Sequence, residues 1–246
     1  MKRASALMML IALCGLAMST AGAAIIDIPC DGADKTYRDD GSSIWVGQKN
    51  AGVGMDSSAR ELGHVLVFEL PDLGGETIQS ANLLMHAWDS AWGTSLSLDL
   101  YALRRDASNA TAASDMYRGP WDTSSGLRTP IMQAYAVKVA GNPAPPSERN
   151  VETDAAGDTA LAAWLAGEYA AGAQAGEFVF LLVTPDTDYV GGSNSYIYFD
   201  TGDTTTVQSY GATYVQNPLL TITTIPEPAT MALLAVGVFG ALRRKR

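Results

Sequence analysis

A period of two residues dominates the middle of this 246-residue chain. Alternating side-chain character marks HVLVFEL (64–70) and SLSLDLYAL (95–103). FVFLLV (178–183) is continuously apolar, and β-branched or aromatic residues fill YIYFD (196–200) and LLTITT (219–224). Glycine- and proline-containing turn signals separate these segments. The pattern predicts several short strands and excludes a regular alternation of strands and helices.

One segment departs from that period. DTALAAWLAGEY (158–169) places apolar side chains at helical spacing, with Asp158 as the predicted N-cap and Gly167 as the predicted stop. Many strands and one helix favour layered antiparallel sheets. The sequence therefore predicts an all-β fold, an antiparallel jelly roll or related β-sandwich, with one short helix packed on it.

Residues 1–23 have the pattern of a signal peptide. Lys2 and Arg3 form a basic start, residues 6–18 form a continuous apolar core, and small residues follow at the predicted cleavage site. The apolar core is shorter than the roughly 20 residues of a membrane-spanning helix. We therefore predict removal of this segment by signal peptidase and an exported body over residues 24–224.

The chain contains two cysteines. Cys14 lies within the predicted signal peptide, where lipid attachment is the alternative, although Leu13 before it is larger than such a site prefers. After cleavage only Cys30 remains, so the exported body can form no intramolecular disulfide. Its stability must come from packing, with bound ions as a candidate addition.

Acidic residues outnumber basic ones, 26 to 16, for a net charge of −10. Six of the cations lie in the two terminal segments, so the body between them is more acidic than the chain as a whole. Such a body repels nucleic acid and anionic lipid headgroups. The composition therefore predicts no nucleic-acid partner.

The C-terminal segment, residues 225–246, combines a proline-led motif, a short apolar run and a cationic end. The apolar run over residues 229–242 is shorter than a helix needs to cross the hydrocarbon core, so it spans only with local thinning of the bilayer. The positive-inside bias holds the cations on the cytoplasmic side and leaves the acidic body outside. The motif and the cations are Pro226, Glu227, Pro228, Arg243, Arg244, Lys245 and Arg246.

These three elements resemble the PEP-CTERM sorting signal of Gram-negative bacteria. The resemblance implies processing by a membrane-embedded exosortase and transient insertion in the inner membrane. It also implies a final place at the cell surface or in an exopolysaccharide or biofilm matrix. The alternative is an ordinary C-terminal membrane anchor, which would be retained.

A second resemblance concerns the body. ARELGHVLVFELPDLGGETIQSANLLMHAW (59–88) is similar to the core block of DNRLRE-type domains, and residues 158–183 and 217–224 are similar to that family's helix–strand pair and closing strand. The resemblance implies a jelly-roll module of secreted or wall-associated proteins, in some cases carbohydrate-binding and usually non-catalytic. The acidic-to-basic motif that names the family is not visible near YFDTGD (198–203).

Few residues indicate catalysis. The two histidines, His64 and His86, have no acidic or cysteine neighbour at metal-binding spacing, and no Gly-x-Ser-x-Gly elbow occurs. A Ser-His-Asp triad assembles in space, so the sequence leaves it open. We therefore predict a non-catalytic protein that binds glycan or has a structural role. A purely adhesive surface protein and a secreted carbohydrate-active enzyme are the alternatives.

Several indole rings lie in polar or small-residue surroundings. Such rings stack on the flat faces of sugars, while neighbouring carboxylates accept hydrogen bonds from the hydroxyls. The predicted saccharide platform, whose partner would be exopolysaccharide, consists of Trp88, Asp89, Trp92, Trp121 and Asp122. The alternative is that these tryptophans close one end of the sandwich core.

Aspartates are concentrated in CDGADKTYRDDG (30–41). Carboxylate oxygens on a loop are the ligands that Ca²⁺ takes, which makes Asp31, Asp34, Asp39 and Asp40 candidate ligands of a structural calcium ion. Their spacing is not that of an EF-hand loop, and solvated loop acids are the alternative. No other cofactor is predicted.

Overall fold

The alternating segments form strands because their β-branched and aromatic side chains suit a pleated, partly buried surface. The structure is a computed structural model that describes residues 23–44, 50–58, 60–90, 95–116, 129–138, 150–186, 195–202 and 217–226. All five strands expected from the sequence are confirmed within these ranges.

Twelve strands and two helices make up the described residues. The strands are β1 (Ala24–Pro29), β2 (Lys35–Arg38), β3 (Ser43–Ile44), β4 (Asn50–Met55), β5 (Glu61–Glu69), β6 (Thr77–Ser90), β7 (Ser95–Asp106), β8 (Thr129–Lys138), β9 (Asn150–Glu152), β10 (Phe178–Pro185), β11 (Ser195–Asp200) and β12 (Leu219–Ile225). The helices are α1 (Ala113–Met116) and α2 (Ala155–Ala170). No helix in these ranges combines the length and apolar character needed to cross a membrane.

The strands pair antiparallel in the order β1-β12-β6-β11-β4-β5-β10-β7-β8. In addition, β2 pairs with β5 and with β3, and β9 pairs with β6. Strand β6 is long enough to serve two sheets. Its residues 77–84 pair with β12, and its residues 87–90 pair with β11. The described residues therefore form the all-β sandwich that the sequence predicted.

The main core lies between the two sheets. It includes Leu83 and Ile222 from the sheet that contains β1 and β12, and Leu66, Leu100 and Leu181 from the other sheet, all fully buried. Removing apolar surface from water contributes roughly 25 cal/mol per Å² and is the main force that holds the sheets face to face.

Strand β5 is buried on both faces, whereas its alternating sequence predicts one buried face. Leu66 belongs to the main core, while Val65 and Val67 form a second cluster with Phe180. The Arg104 guanidinium lies over the Phe180 ring, 3.8 Å from its centroid, and covers this second cluster. The outer face is therefore buried by side chains from other strands, which a hydrophobic pattern within β5 does not reveal; they include the long polar Arg104 as well as Tyr37, Tyr101, Leu103 and Phe178.

Helix α1 supplies the partner of that arginine. The buried carboxylate of Asp115 accepts from Arg104 Nε at 2.8 Å and from Nη2 at 3.0 Å. Such a two-point contact fixes the plane of the guanidinium over the ring. The predicted helix is confirmed as α2, and the structure adds α1, which has four residues and is too short to produce a periodic pattern.

Helix α2 begins earlier and ends later than predicted. Its N-cap is Asp154, whose Oδ1 accepts from the Gly157 N–H at 2.7 Å, and not Asp158. Gly167 lies inside the helix, and Gly172, with a φ of 92°, follows its end. The first turn was missed because it consists of small residues without apolar periodicity.

The apolar face of α2 packs on the sandwich as predicted. Leu161, Ala162 and Leu165 are buried, and the helix contacts β6 and β8. Trp164 is half-buried and lies against the main core. The helix therefore covers one side of the sandwich.

Candidate functional site

Strands β1 and β12 bring the two predicted targeting segments to one end of the fold. Ala24 pairs with Thr224, so the chain enters β1 where it leaves β12. Strand β12 continues to Ile225, which pairs with Thr77 at the start of β6. Pro226 then ends the strand, since proline has no N–H to donate. This region is termed the sorting end and consists of Ala24, Ile25, Thr77, Thr224, Ile225 and Pro226.

The last residues of β12 are held closely to β6. Thr224 is buried, and its hydroxyl donates to the Glu76 carboxylate. The Thr77 hydroxyl donates to the Ile225 carbonyl at 3.3 Å. Ordered pairing therefore continues to the residue before Pro226.

A cleft of about 750 Å³ opens beside the sorting end. The turn between β5 and β6 forms one wall, and the end of α2 with the residues after it forms the other. The Tyr169 hydroxyl donates to the Pro71 carbonyl at 2.7 Å and joins the two walls. Asp72 accepts from the Gly74 N–H at 2.8 Å, and Gly74 and Gly75 have φ angles of 58° and 84°, which favour glycine.

The cleft is acidic. Asp72 and Glu76 contribute carboxylates, Gln174 an amide and Tyr169 a phenol, and no Lys, Arg or His is among the lining residues that the structure describes. Burial, together with the negative charge of Asp72, raises the pKa of Tyr169 to about 12, so the phenol stays protonated at neutral pH. The surface therefore offers hydrogen-bond acceptors and an aromatic ring to an uncharged ligand.

The opposite end of the β1–β12 pair is closed by buried polar contacts. His64 bridges two side chains: its Nδ1 lies 3.1 Å from Thr36 Oγ1, and its Nε2 lies 3.0 Å from Asp34 Oδ2. The Gly202 N–H donates to the same Asp34 oxygen at 2.9 Å. This region is termed the locked end and consists of Cys30, Asp31, Asp34, Thr36, His64, Gly202, Asn217 and Pro218.

Backbone segments pack closely at the locked end. A Cβ on Gly202 would lie 2.3 Å from the Asp31 carbonyl oxygen, so this position requires glycine. Asn217 donates from Nδ2 to the Gly202 carbonyl at 3.2 Å. The Cys30 N–H donates to the Pro218 carbonyl at 2.8 Å. Three connecting segments, after β1, after β11 and before β12, are thereby joined.

A second buried pair joins β6 to β11. His86 Nδ1 lies 2.9 Å from Asp200 Oδ2, and both side chains are buried. Sequence reasoning assigned no acidic neighbour to either histidine. The partners lie 30 positions away for His64 and 114 positions away for His86, so no local signal could have found them.

The Thr36, His64 and Asp34 side chains have the composition of a hydroxyl–imidazole–carboxylate relay. All three are buried, whereas a nucleophile must reach its substrate. Burial, followed by the negative charge of Asp34, raises the pKa of the Cys30 thiol well above its usual value. A protonated thiol is a poor nucleophile. These contacts join structural elements.

The four candidate calcium ligands, Asp31, Asp34, Asp39 and Asp40, are not brought together. Asp34 is buried in the locked end, whereas Asp40 is exposed and forms an ion pair with Arg60, with 3.1 Å between Oδ2 and Nη1. In the part of the chain that the structure describes, no group of three or more His, Cys, Asp and Glu side chains is placed to hold a metal ion. The calcium hypothesis therefore has no geometric support.

The predicted saccharide platform stays a prediction. Trp88 and Asp89 belong to β6 by their backbone, and their side chains lie outside the description. Trp92, Trp121 and Asp122 lie outside the described residues altogether. Most residues of the predicted sorting motif also lie outside the described residues. They are Glu227, Pro228, Arg243, Arg244, Lys245 and Arg246.

The closing strand of the all-β body runs directly into a proline-led segment. Residues 224–246 match the family model described as the PEP-CTERM protein-sorting motif, which confirms the predicted motif. No curated protein matches the chain. The match covers the sorting segment and does not extend to the body, so the DNRLRE-type resemblance stays a prediction.

The motif defines the route of this protein. It implies processing by an exosortase, export, and a cell-surface or extracellular fate in a Gram-negative bacterium. The match begins at Thr224, which is buried inside β12. The sorting segment is therefore continuous with the sandwich and is not separated from it by a linker.

Proposed function

We propose that the sorted sandwich is a non-catalytic component of the cell surface or of an exopolysaccharide matrix, where it binds glycan. The single observation that carries this proposal is the sorting motif that starts within the closing strand and so directs the whole sandwich outward. Before processing, the C-terminal segment is inserted transiently in the inner membrane with its cations on the cytoplasmic side.

The cleft beside the sorting end supports glycan binding. Sugars present C–H faces to aromatic rings, and their hydroxyls donate to carboxylates and amides. Tyr169, Asp72 and Gln174 supply these groups in one concave surface. Because the described lining is acidic and has no cation, the ligand class is a neutral or amino-bearing glycan. The platform of Trp88 and Trp121 is the second predicted location.

Two features favour a binding or structural role over catalysis. Both histidines are paired with aspartates in buried positions, His64 with Asp34 and His86 with Asp200. The Cys30 thiol is buried and kept protonated by the raised pKa. A general base or nucleophile would need access to substrate, which these positions do not have.

Affinity electrophoresis through gels that contain a neutral polysaccharide tests glycan binding. We expect the purified protein to be retarded and Gln174→Ala to reduce the retardation, while Gln79→Ala, at an exposed position of β6 outside the cleft lining, leaves it unchanged. Loss of retardation in Trp88→Ala or Trp121→Ala instead places binding on the predicted platform.

Two results would contradict this proposal. Absence of retardation on all neutral and amino-bearing polysaccharides favours a purely structural or adhesive protein. If the purified protein releases reducing ends from the polysaccharide of the bacterium that produces it, it is a carbohydrate-active enzyme.

The sorting route is tested by fractionating cells of the bacterium that produces this protein, with and without its exosortase. The mass of the C-terminal peptide is measured in each strain. We expect the Arg246 terminus to be lost in the parent strain and kept in the mutant. An intact Arg246 terminus in both strains would contradict processing.

A further inference from the structure

We infer that the sorting end is a membrane-contacting face, which lies on the outer surface of the inner membrane while the C-terminal segment is inserted. The inference rests on the transient insertion proposed above. It adds the orientation of the sandwich and names the lipid headgroup layer as the partner of one surface.

The length of the connection restricts the position of the sandwich. Three residues, Pro226, Glu227 and Pro228, separate β12 from the apolar run over residues 229–242. Fully extended, three residues span about 10 Å, and the headgroup layer on each side of the hydrocarbon core is roughly 5–8 Å thick. The end of β12 therefore lies at the surface of the headgroups whenever the apolar run is in the core.

The attachment point is rigid. Strand β12 pairs with β6 through Ile225, and the buried Thr224 hydroxyl donates to Glu76. A short connection to an ordered strand orients the whole sandwich, whereas a connection to a long loop would leave its orientation free. The residues around the attachment point are therefore the ones that contact the membrane.

Two aliphatic side chains are exposed on the outer face of the strand pair at the attachment point, whereas the acidic cleft lined by Asp72 and Glu76 opens beside this end. On the part of the surface that the structure describes, the exposed large apolar side chains are Ile25, 70% exposed, and Ile225, 38% exposed. Ile25 pairs with Thr223, and Ile225 is two residues further along β12, so both lie on the outer face of the strand pair. Their transfer from water to the interface is favourable by roughly 25 cal/mol per Å² of apolar area.

The same face becomes polar away from this end. Asp27, two residues or about 7 Å beyond Ile25 along β1, accepts from the Thr221 hydroxyl at 2.7 Å. This order places aliphatic side chains nearest the lipid and keeps the Asp27 carboxylate further from anionic headgroups. It is the order expected for a surface that touches a membrane at its tip.

The other targeting segment leaves from the same place. Because Ala24 pairs with Thr224, the predicted signal peptide before Ala24 also emerges at the sorting end. Both apolar segments therefore hold the same face toward the membrane before either is removed.

Depth-dependent quenching in vesicles tests this orientation. The full-length protein, with Cys14→Ser, is reconstituted in vesicles of phosphatidylethanolamine and phosphatidylglycerol that carry nitroxide lipids, at headgroup level in one set of vesicles and near the end of the acyl chain in another. Single fluorescent labels are placed at Ile25→Cys, at Val236→Cys in the apolar run, and at Ser108→Cys. Ser108 is the matched control, since it is exposed and its neighbour Asn109 donates to Asp31 at the locked end. The buried Cys30 stays unlabelled in the folded protein.

We expect strong loss of fluorescence at Val236 with the acyl-chain nitroxide, strong loss at Ile25 with the headgroup nitroxide, and no loss at Ser108 with either. Loss at Val236 with equal, weak loss at Ile25 and Ser108 overturns the orientation while the membrane insertion stands. No loss at Val236 overturns the proposed insertion and the inference with it. Self-quenching at Ile25 that depends on protein density shows that a second copy covers this face, which also overturns the inference.

Discussion

The two ends of the β1–β12 strand pair differ in how their polar and apolar groups are arranged. The locked end buries His64 and Asp34 and requires Gly202 for close backbone contact. The sorting end exposes Ile25 and Ile225 and stops at a proline. The two ends are separated by about 17 Å along β1. One strand pair therefore closes the fold at one end and presents the targeting segment at the other.

The two ends also differ in how many buried polar contacts hold them. Buried polar groups must keep their partners, since each unpaired group costs about 1–3 kcal/mol. At the locked end those partners lie on distant parts of the chain. At the sorting end the buried Thr224 hydroxyl likewise donates to Glu76 of a distant segment, while Ile25 and Ile225 are exposed.

The largest effect is expected from shortening a buried side chain of β12. Leu220 is fully buried next to the locked end, and Leu220→Ala should lower the free energy of unfolding by about 3 kcal/mol because it leaves a cavity. Ile225→Ala at the sorting end should change it by no more than about 0.5 kcal/mol. Urea unfolding followed by tryptophan fluorescence measures both, and equal losses would contradict the comparison.

A smaller but clear effect is expected from replacing Asp34, which directly precedes β2, and Asp27 within β1 is the comparison. Asp34→Ala removes the acceptor of His64 and of the Gly202 N–H and should cost about 2 kcal/mol. Asp27→Ala, in the exposed contact with Thr221, should cost at most about 0.5 kcal/mol. Thermal unfolding followed by circular dichroism compares them, with Asp34→Asn as the variant that keeps an acceptor. A larger loss for Asp27→Ala would show that the exposed contact in the middle of the strand pair, and not the locked end, holds the pair closed.

The smallest effect concerns the cleft and alkaline pH. The pKa of Tyr169 is raised to about 12, while an unfolded tyrosine ionises near pH 10. The folded state binds the proton more tightly, so its contribution to stability is complete below about pH 10 and is lost as the pH rises toward about 12.

Phenolate absorbance during alkaline titration measures the pKa of Tyr169 directly. Tyr169→Phe should remove one late-titrating tyrosine and lessen the loss of stability between about pH 10 and pH 12. Tyr37, whose pKa is also raised by burial, still titrates late in this variant. An unchanged titration curve in this variant would show that the cleft leaves the phenol exposed.

Much of the architecture was predictable because it depends on near neighbours along the chain. The strand over residues 219–224 was recognised from β-branched residues, and β12 extends only one residue further. Helix α2 was recognised from the spacing of Leu161 and Leu165, although its first turn, which Asp154 caps, lacks apolar residues. The outer burial of β5 was not predictable, since side chains of other strands, among them Tyr37 and Phe180, cover it.

The candidate sites divide in the same way. The sorting motif was found from contiguous residues and is confirmed by the match over residues 224–246. The cleft that Tyr169 and Pro71 join, and the His86–Asp200 pair, were missed because their members are 98 and 114 positions apart. No periodicity or spacing rule relates residues at such separations.

By itself, the sequence determined the strand pattern, the helix, and the segment that directs this protein out of the cell, because each depends on residues within a few positions of one another. Only the tertiary structure decided that Ala24 and Thr224 are neighbours, that the Asp34 carboxylate contacts the His64 ring, and that a cleft opens beside the sorting end. The physical reason is that strand pairing and core packing join distant residues, and the free energy of those contacts exists only after the chain has folded.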